Sequence, residues 1–171
     1  IETVPCGLIR LGSGELAYIT KRIDRTDEGS KIHMLDMFQI TDAVDKYKGS
    51  MERVGKAIAE YSSNTLLDKL RYFEVVLFCY LTGNNDMHLK NFSLITKSGK
   101  TTLSPAYDFL NSSIAVKRPQ EEMALFLKGK KSNLKKIDLV DYYATERLGL
   151  NSKTIDKIVS DMHKCVPQWK Q

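Results

Sequence analysis

The chain has 171 residues, of which 42% are hydrophobic and 27% are charged, and its formal net charge is +5. This composition is typical of one soluble globular domain that is long enough to bury a core of its own. No apolar run approaches the about 20 residues that a membrane-spanning helix needs. Residues 1–20 also lack the basic start and the apolar stretch of a signal peptide.

Three cysteines, Cys6, Cys79 and Cys165, lie far apart and form no CxxC pair. Because this spacing is neither a disulfide framework nor a zinc site, the sequence predicts a reduced, cytoplasmic protein. Basic residues cluster at 128–131 and 135–136, a pattern that favours a solvated loop over contact with nucleic acid. The mild positive charge is compatible with an anionic ligand or nucleic acid but diagnostic of neither.

The first predicted elements are two short strands, residues 7–11 and 15–21. Both are rich in β-forming residues, and the glycines between them predict a tight turn. A polar loop at residues 26–31 follows. After it, a short helix is predicted from Met34 to Gln39.

Two longer helices are predicted next. Residues 51–61 repeat apolar side chains at helical spacing, and Ser50 precedes them as an N-cap. Residues 66–82 are apolar on nearly every side, which predicts the buried central helix of the domain. Thr65 can cap its start, and Gly83 is suited to its C-terminal end.

A hairpin and two more helices complete the pattern. Residues 92–96 and 101–104 flank a polar turn and predict two antiparallel strands. Apolar spacing predicts a further helix between Leu139 and Leu148, and a last one that Asn151 or Ser152 caps. The fold class is therefore mainly α with small β-hairpins.

The stretch that follows the central helix carries the residues that indicate chemistry. Asp86 and Asn91 stand in a D-x-x-x-x-N arrangement, and Asp108 follows the predicted hairpin. In phosphoryl transfer, one carboxylate orients the attacking hydroxyl, while an amide and a second carboxylate hold Mg²⁺ on ATP. Because the hairpin carries the chain out and back, we expect Asp108 to lie near Asn91. The aromatic residues on either side of Asp108 are expected to pack.

Each of these residues also has an ordinary explanation. Taken singly, Asp86 fits an aspartate that caps backbone amides, and Asn91 fits a turn asparagine. Their combination with His88 and Asp108 favours a kinase-type site. His88 has no histidine or cysteine partner at metal-ligand spacing, so a hydrogen-bonding or packing role is predicted. Lys90 fits a phosphate contact or a plain surface lysine equally well.

The parts of a kinase that clamp the nucleotide from above are not recognisable. Gly7, Gly12 and Gly14 do not form G-x-G-x-x-G and fit a hairpin turn better, and no Walker A pattern occurs. Lys21 is the only lysine at a strand end before the motif. The sequence therefore predicts that the N-terminal lobe is missing or that it comes from another chain.

Longer stretches around the motif carry a family resemblance. Residues 83–93 read GNNDMHLKNFS, and residues 103–108 read LSPAYD. Together they closely resemble the HipA family of toxin serine/threonine kinases, whose pattern reads roughly N-x-D-x-H-x-K-N-x-S and then L-x-P-x-Y-D. Residues 21–25 resemble the hinge segment of that family, and residues 125–150 resemble its C-terminal region.

The resemblance implies ATP and Mg²⁺ as cofactors and a fold similar to the C-terminal lobe of a HipA-like or protein-kinase-like protein. Asp86 would be the catalytic base, and Asn91 and Asp108 would bind Mg²⁺. The hinge residues would meet the adenine through backbone atoms, and His88–Asn91 would line the phosphates. The nucleotide-binding set implied in this way comprises Lys21, Arg22, Ile23, His88, Leu89, Lys90, Asn91, Tyr107 and Asp108.

The resemblance also implies partners. Family members pair with a HipB-like antitoxin that binds operator DNA, and their known targets are aminoacyl-tRNA synthetases. Lys21 and Ile23 stand where the family usually has glutamate and phenylalanine, which is compatible with recognition by backbone atoms. No membrane partner is expected.

Two other functions stay open from the sequence alone. One is a non-catalytic module that binds an antitoxin and, through it, DNA. The other is a small-molecule or lipid kinase, because lipid kinases and aminoglycoside phosphotransferases share the D-x-H-x-x-N pattern. For domain organisation, we expect residues 1–25 to form a β-hairpin with a hinge-like segment and residues 26–171 to form a helical domain. We also expect the chain to be inactive alone.

Overall fold

The computed structural model of the chain describes residues 1–112 and 121–167. In chain order the described part contains β1 (Cys6–Arg10), β2 (Leu16–Thr20), β3 (His33–Asp36), α1 (Met37–Ile40), α2 (Met51–Tyr61), α3 (Thr65–Thr82), a 3₁₀ turn (Leu89–Asn91), β4 (Ser93–Lys97), β5 (Lys100–Leu103), a π-helix (Asp138–Arg147) and α4 (Ser152–Cys165). The predicted architecture, mainly α with small β-hairpins, is confirmed.

The strands form two separate antiparallel sheets. β1 and β2 make a two-stranded ribbon in which Cys6 lies opposite Thr20. The second sheet has the order β3-β4-β5, so the predicted 92–104 hairpin gains a third strand. Just before β1, Thr3 pairs in parallel with Ala106, and this bridge ties the start of the ribbon to the segment that follows β5.

The prediction of a helix from Met34 to Gln39 is wrong for the first half of that segment. β3 takes that part of the segment, and Leu35 lies opposite Leu94 of β4. Helix α1 begins only at Met37, because Asp36 is its N-cap: Gln39 N donates to Asp36 Oδ1 at 2.8 Å. Apolar periodicity over so few residues does not distinguish a strand from a helix, and here the sheet partner decides.

The caps of α2 and α3 mostly follow the prediction. Ser50 Oγ accepts a hydrogen bond from Arg53 N at 3.2 Å, which confirms it as the N-cap of α2. The prediction that Thr65 caps α3 is wrong by one residue, because Asn64 is the N-cap. The Thr65 hydroxyl donates to the carbonyl of Ser62 at 3.2 Å instead.

Helix α3 runs through the centre of the core, as predicted. Tyr72 and Phe73 are fully buried, and the Tyr72 hydroxyl donates to the carbonyl of Met51 in α2 at 3.1 Å. The burial is not complete around the helix, since Leu66 and Leu81 near its two ends are 66% and 47% exposed. The burial is therefore concentrated in the middle of α3.

Asp68, in the first turn of α3, is a charged residue that is completely buried. Its Oδ2 accepts hydrogen bonds from Ser62 Oγ at 2.6 Å and from the backbone N–H of Leu103 at 2.7 Å. Its Oδ1 has no partner in the part of the chain that the structure describes. Because Leu103 ends β5, this carboxylate joins the start of the central helix to the strand that leads to Asp108.

The two C-terminal helices contribute buried side chains to the core. The helix predicted around Leu139–Leu148 is present as a π-helix, in which each turn is wider than in an α-helix. The prediction of Asn151 as a cap is confirmed, because its Oδ1 accepts from Thr154 N at 2.9 Å. In the predicted basic loop, the Nζ atoms of Lys128 and Lys130 each lie 3.2 Å from a carboxylate oxygen of the buried Asp138.

Candidate active site

The loop from Gly83 to Asn91, called the Asp86 loop below, begins where the central helix stops. Gly83 takes the left-handed conformation, with φ 71°, which confirms its role at the end of α3. This turn lets the N–H of Asn84 donate back to the carbonyl of Cys79 at 2.9 Å. The loop therefore leaves a rigid helix in a defined direction, which is what a positioned side chain requires.

Asn91 is the centre of the polar cluster. Its Nδ2 donates to Asp108 Oδ2 at 3.1 Å and to the backbone carbonyl of Asp86 at 3.1 Å. Asn91 is 5% exposed, whereas Asp108 is exposed, so the two bonds are partly buried. The expectation that the hairpin brings Asp108 near Asn91 is thereby met.

Asp108 is held in an uncommon backbone conformation. Its φ is +60°, a region that non-glycine residues seldom adopt, although aspartate and asparagine tolerate it better than most. Asn84 Nδ2 donates to the carbonyl of Asp108 at 3.5 Å. Left-handed residues of this kind cost free energy and tend to occur where a side chain must be aimed. The side chain of Asp108 is exposed, so it is accessible to a ligand.

Asn84 is a site residue that the sequence analysis did not single out. It is 4% exposed, and its Oδ1 accepts from the backbone N–H of Asp86 at 3.3 Å while its Nδ2 reaches Asp108. One buried amide thus bridges the loop and the segment that carries the second aspartate. Its position in the GNND stretch was visible, but an asparagine beside a helix end is an ordinary turn residue by sequence.

Tyr107 closes the cluster on another side. Its hydroxyl donates to the carbonyl of Lys90 at 2.9 Å and lies 2.5 Å from Ser93 Oγ, which donates to it in turn. Burial raises the pKa of Tyr107 to about 12, so the hydroxyl stays protonated. Phe109, on the other side of Asp108, packs edge-on against Phe78 of α3.

His88 is buried under a second tyrosine. The rings of His88 and Tyr47 meet edge-to-face, with centroids 5.1 Å apart, and the Tyr47 hydroxyl donates to Asp86 Oδ1 at 2.9 Å. Desolvation, with the nearby Lys46 ammonium, lowers the pKa of His88 below its usual range, so the ring is neutral at neutral pH. Tyr47 precedes Asp86 by 39 residues, and no local pattern pointed to it.

A cleft of about 470 Å³ lies beside Asp108. It is lined by Lys21, Arg22 and Ile23 of the hinge-like segment and by Tyr107 and Asp108. The structure therefore brings together on one cleft two groups that lie far apart in the sequence. Asp86, His88, Leu89, Lys90 and Asn91 are not among the described residues that line this cleft.

The side chains of Lys21 and Arg22 are paired near the surface, whereas part of the backbone of this hinge-like segment is open. Lys21 Nζ pairs with Asp27 at 2.6 Å, and Arg22 pairs with Asp24 at 2.5 Å. Among the described residues, the backbone N–H and C=O groups of Arg22 and Ile23 make no hydrogen bond. Unpaired backbone groups beside a cleft are available to a ligand.

The two remaining residues of the expected set differ in exposure. Lys90 is exposed and its ammonium lies 4.9 Å from the ring centroid of Phe38. Leu89 is fully buried, and a Cβ added at Gly49 would meet its side chain at 3.1 Å. Any ligand contact by Leu89 would therefore come from its backbone.

Residues 1–112 and 121–167 contain no group of three or more His, Cys, Asp or Glu side chains placed to share a metal ion. In the same ranges, every helix is too short or too polar to cross a bilayer.

The chain has recognisable relatives. The family model described as "HipA-like C-terminal domain" matches residues 1–169. A Haemophilus influenzae protein named "Putative kinase" is 32% identical over 109 residues, which cover 58% of this chain and 32% of that protein. A Sinorhizobium fredii protein named "Putative kinase Y4dM" is 38% identical over 108 residues, or 59% of this chain and 26% of that protein.

A solved structure shares the fold. It is the complex of HipA, HipB and operator DNA from Shewanella oneidensis MR-1, with a TM-score of 0.83 and 20% identity. The match covers 98% of this chain and 44% of the solved chain. The matched region thus spans about a third or less of the length of the curated relatives, and less than half of the structural one.

Proposed function

Because this chain belongs to the HipA-like C-terminal domain family, we propose that it is the C-terminal part of a serine/threonine protein kinase. The observation that carries the proposal is the link from Asn91 Nδ2 to Asp108 Oδ2 and to the carbonyl of Asp86, each at 3.1 Å. One amide thereby gathers the three residues that phosphoryl transfer would use.

Asp86 is the proposed catalytic base. Its Oδ1 accepts the hydroxyl of Tyr47, while its Oδ2 accepts no hydrogen bond from residues 1–112 or 121–167. A general base needs an open oxygen within about 2.6–3.2 Å of the hydroxyl whose proton it takes. Oδ2 is such an open oxygen. It would orient a serine or threonine hydroxyl for attack on the γ-phosphorus.

Asn91 and Asp108 are the proposed magnesium ligands, and their donor set fits the ion. With Nδ2 turned toward Asp108 and Asp86, the Oδ1 of Asn91 is the atom that remains for a ligand. Mg²⁺ prefers a few carboxylate or amide oxygens and takes its other ligands from phosphates and water. When bound, the ion would neutralise charge on the phosphates. Asn84 and Tyr107 would hold its two protein ligands in place.

The 470 Å³ cleft is the proposed nucleotide site. The unpaired backbone groups of Arg22 and Ile23 would bind the adenine edge, which explains how lysine and isoleucine can replace the glutamate and phenylalanine that are usual in the hinge. Asp108 lies on the same cleft, so a nucleotide that fills it would present its phosphates to the metal ligands. In this proposal His88 supports the loop, and Lys90 and the backbone of Leu89 are the phosphate-side contacts.

The rest of the protein would supply the lobe that covers this cleft. The β1–β2 ribbon exposes apolar side chains, among them Leu8 at 69% and Leu16 at 62%. A two-stranded ribbon with exposed apolar residues is marginally stable by itself and gains from further packing. We therefore propose that an N-terminal lobe, in cis or from another chain, packs on the ribbon and completes the ATP site.

Membership of the family supports a proposal for the partners. We propose a HipB-like antitoxin as the binding partner, and operator DNA as a ligand reached through that antitoxin, as part of a toxin–antitoxin system. The acceptor is proposed to be a protein hydroxyl, and an aminoacyl-tRNA synthetase is the first acceptor to test.

The decisive experiment is phosphoryl transfer by the full-length gene product with Mg²⁺ and γ-labelled ATP. We expect label on serine or threonine of a protein acceptor, and loss of at least about 100-fold in Asp108→Asn. Asp156→Asn, an exposed aspartate on α4, is the matched control and is expected to retain activity. The 171-residue chain alone is expected to be inactive.

Other outcomes would overturn the proposal in identifiable ways. Transfer of label to a lipid or an aminoglycoside, but not to protein, would favour a small-molecule kinase. Antitoxin and operator binding that persists without any nucleotide binding would favour a non-catalytic module. Robust turnover by the 171-residue chain alone would remove the need for the second lobe.

A further inference from the structure

A loop that no motif marked lies against the Asp86 loop. The segment from Asp42 to Gly49 contacts it at two points: Leu89 N donates to the carbonyl of Lys46 at 3.1 Å, and Gly49 lies against the Leu89 side chain. A methyl group at Gly49 would meet Leu89 Cδ2 at 3.1 Å, so a larger residue there would require the Leu89 side chain to shift by a few tenths of an ångström. The two loops are therefore packed as one unit.

Tyr47 lies in this segment, and its backbone is fixed. Its N–H donates to Asp45 Oδ1 at 2.9 Å, and the N–H of Lys48 donates to the carbonyl of Asp45 at 3.1 Å. Such a turn, in which an aspartate side chain binds the backbone two residues on, holds the intervening chain in one conformation. The Tyr47 side chain consequently starts from a defined position.

The Tyr47 side chain makes three contacts, two of them with residues of the Asp86 loop. Its hydroxyl donates to Asp86 Oδ1 at 2.9 Å, its ring packs edge-on against His88 at an interplanar angle of 84°, and the ammonium of Lys46 lies 4.9 Å from its ring centroid. Tyr47 is 39% exposed, so the placement of its side chain does not come from burial in the core.

We propose that Tyr47 is a positioning residue for phosphoryl transfer, an inference that rests on the proposed kinase function. Its hydroxyl holds one oxygen of Asp86 and fixes the rotation of the carboxylate, so that Oδ2 faces the acceptor hydroxyl. Its ring covers His88, which keeps the neutral imidazole packed under the loop. Tyr47 itself does not touch the reacting atoms.

The geometry separates this role from nucleotide binding. Tyr47 is not among the described residues that line the cleft beside Asp108. Removing its hydroxyl should therefore change the orientation of the base while leaving the affinity for ATP intact. Misplacement of a reacting group by about 1 Å can cost up to 100-fold in rate. A drop in kcat without a change in the KM for ATP is the signature that follows.

The test compares Tyr47→Phe with Tyr61→Phe in the full-length gene product, with casein as a generic serine-containing acceptor and γ-labelled ATP. Tyr61 ends α2, is 50% exposed and serves as the matched tyrosine. We expect Tyr47→Phe to lower kcat about tenfold. The KM for ATP and the Kd of a non-hydrolysable ATP analogue, measured by calorimetry, should stay within twofold. Tyr61→Phe should match the wild type.

Two results would overturn the inference while the kinase proposal stands. If Asp86→Asn abolishes transfer but Tyr47→Phe matches the wild type, the hydroxyl has no positioning role. If Tyr47→Phe raises kcat, the hydroxyl obstructs the carboxylate instead of orienting it. If the wild type shows no transfer and Asp86→Asn changes nothing, the proposed function itself fails, and the inference falls with it.

Discussion

The Asp86 loop and the β1–β2 ribbon lie in the same molecule but are held in opposite ways. The loop is fixed by buried groups of this chain, with Asn84 at 4% and Asn91 at 5% exposure. The ribbon leaves Leu8 and Tyr18 at 69% and 52% exposure. The proposed catalytic half is therefore preorganised within this domain, whereas the half that is proposed to face the nucleotide leaves apolar side chains exposed.

The largest effect is expected where the catalytic half is broken at its centre. Asn91→Ala removes the amide that joins Asp108 to the carbonyl of Asp86. Because both a proposed metal ligand and the link between the loops are lost, we expect kcat for phosphoryl transfer by the full-length protein to fall at least about 100-fold. The rate at which label is transferred from γ-labelled ATP to the acceptor measures this kcat.

Asn85→Ala is the control for this change. Asn85 belongs to the same loop, but its Nδ2 donates to the carbonyl of Glu121 at 2.9 Å and not to Asp108. Its activity should stay within about threefold of the wild type. Equal activity of Asn91→Ala and Asn85→Ala would contradict the role given to Asn91.

Leucine-to-alanine substitutions in the buried core and in the ribbon test the difference in packing. Leu125→Ala, at a fully buried position, should lower the free energy of unfolding by about 2–5 kcal/mol, because it leaves a cavity. Leu8→Ala in the ribbon should change it by less than about 0.5 kcal/mol. Urea unfolding of the 171-residue chain measures both. A similar loss in the two variants would show that the ribbon is packed in solution.

A third prediction concerns Asp68, the buried carboxylate that joins the start of α3 to the end of β5. Asp68→Ala leaves the N–H of Leu103 and the hydroxyl of Ser62 without their acceptor, so we expect a loss of about 3 kcal/mol in the free energy of unfolding. Asp68→Asn keeps an acceptor oxygen and should cost clearly less. Denaturant midpoints, with Asp156→Ala as an exposed control, provide the comparison. Equal losses in Ala and Asn would refute the hydrogen-bonding role.

The smallest effect is the pH dependence that His88 contributes. Its pKa in the folded protein is lowered, by desolvation first and then by Lys46, whereas Asp86 and Asp108 act in the opposite direction. Below the unfolded pKa of about 6.5, the unfolded chain therefore takes up a proton that the folded one resists. Stability should fall as the pH drops from 7 toward 5, and less so in His88→Gln.

The exposed His33 is the control for that experiment. His33→Gln removes an exposed histidine that lies outside the Asp86 loop. Thermal melts between pH 5 and pH 7 suffice for the measurement. An unchanged slope in His88→Gln would mean that the imidazole is not held neutral by its surroundings.

The elements that could be predicted are those whose causes are local. Ser50 and Asn151 cap helices because their side chains reach backbone groups three residues ahead, and Gly83 ends α3 because only glycine adopts its conformation easily. The strand at His33–Asp36 was missed because its pairing with β4 comes from a segment far along the chain.

Local patterns were enough to predict the helical core, the hairpin that returns Asp108 toward Asn91, and the residue types suited to Mg²⁺ and a hydroxyl. The folded structure was needed to show that Asn84 bridges the two loops, that Tyr47 contacts Asp86, and that residues 21–23 share a cleft with Asp108. The difference lies in the sequence separation of the residues involved. Caps and periodicity act within a few residues, whereas these contacts form only when packing brings distant segments together.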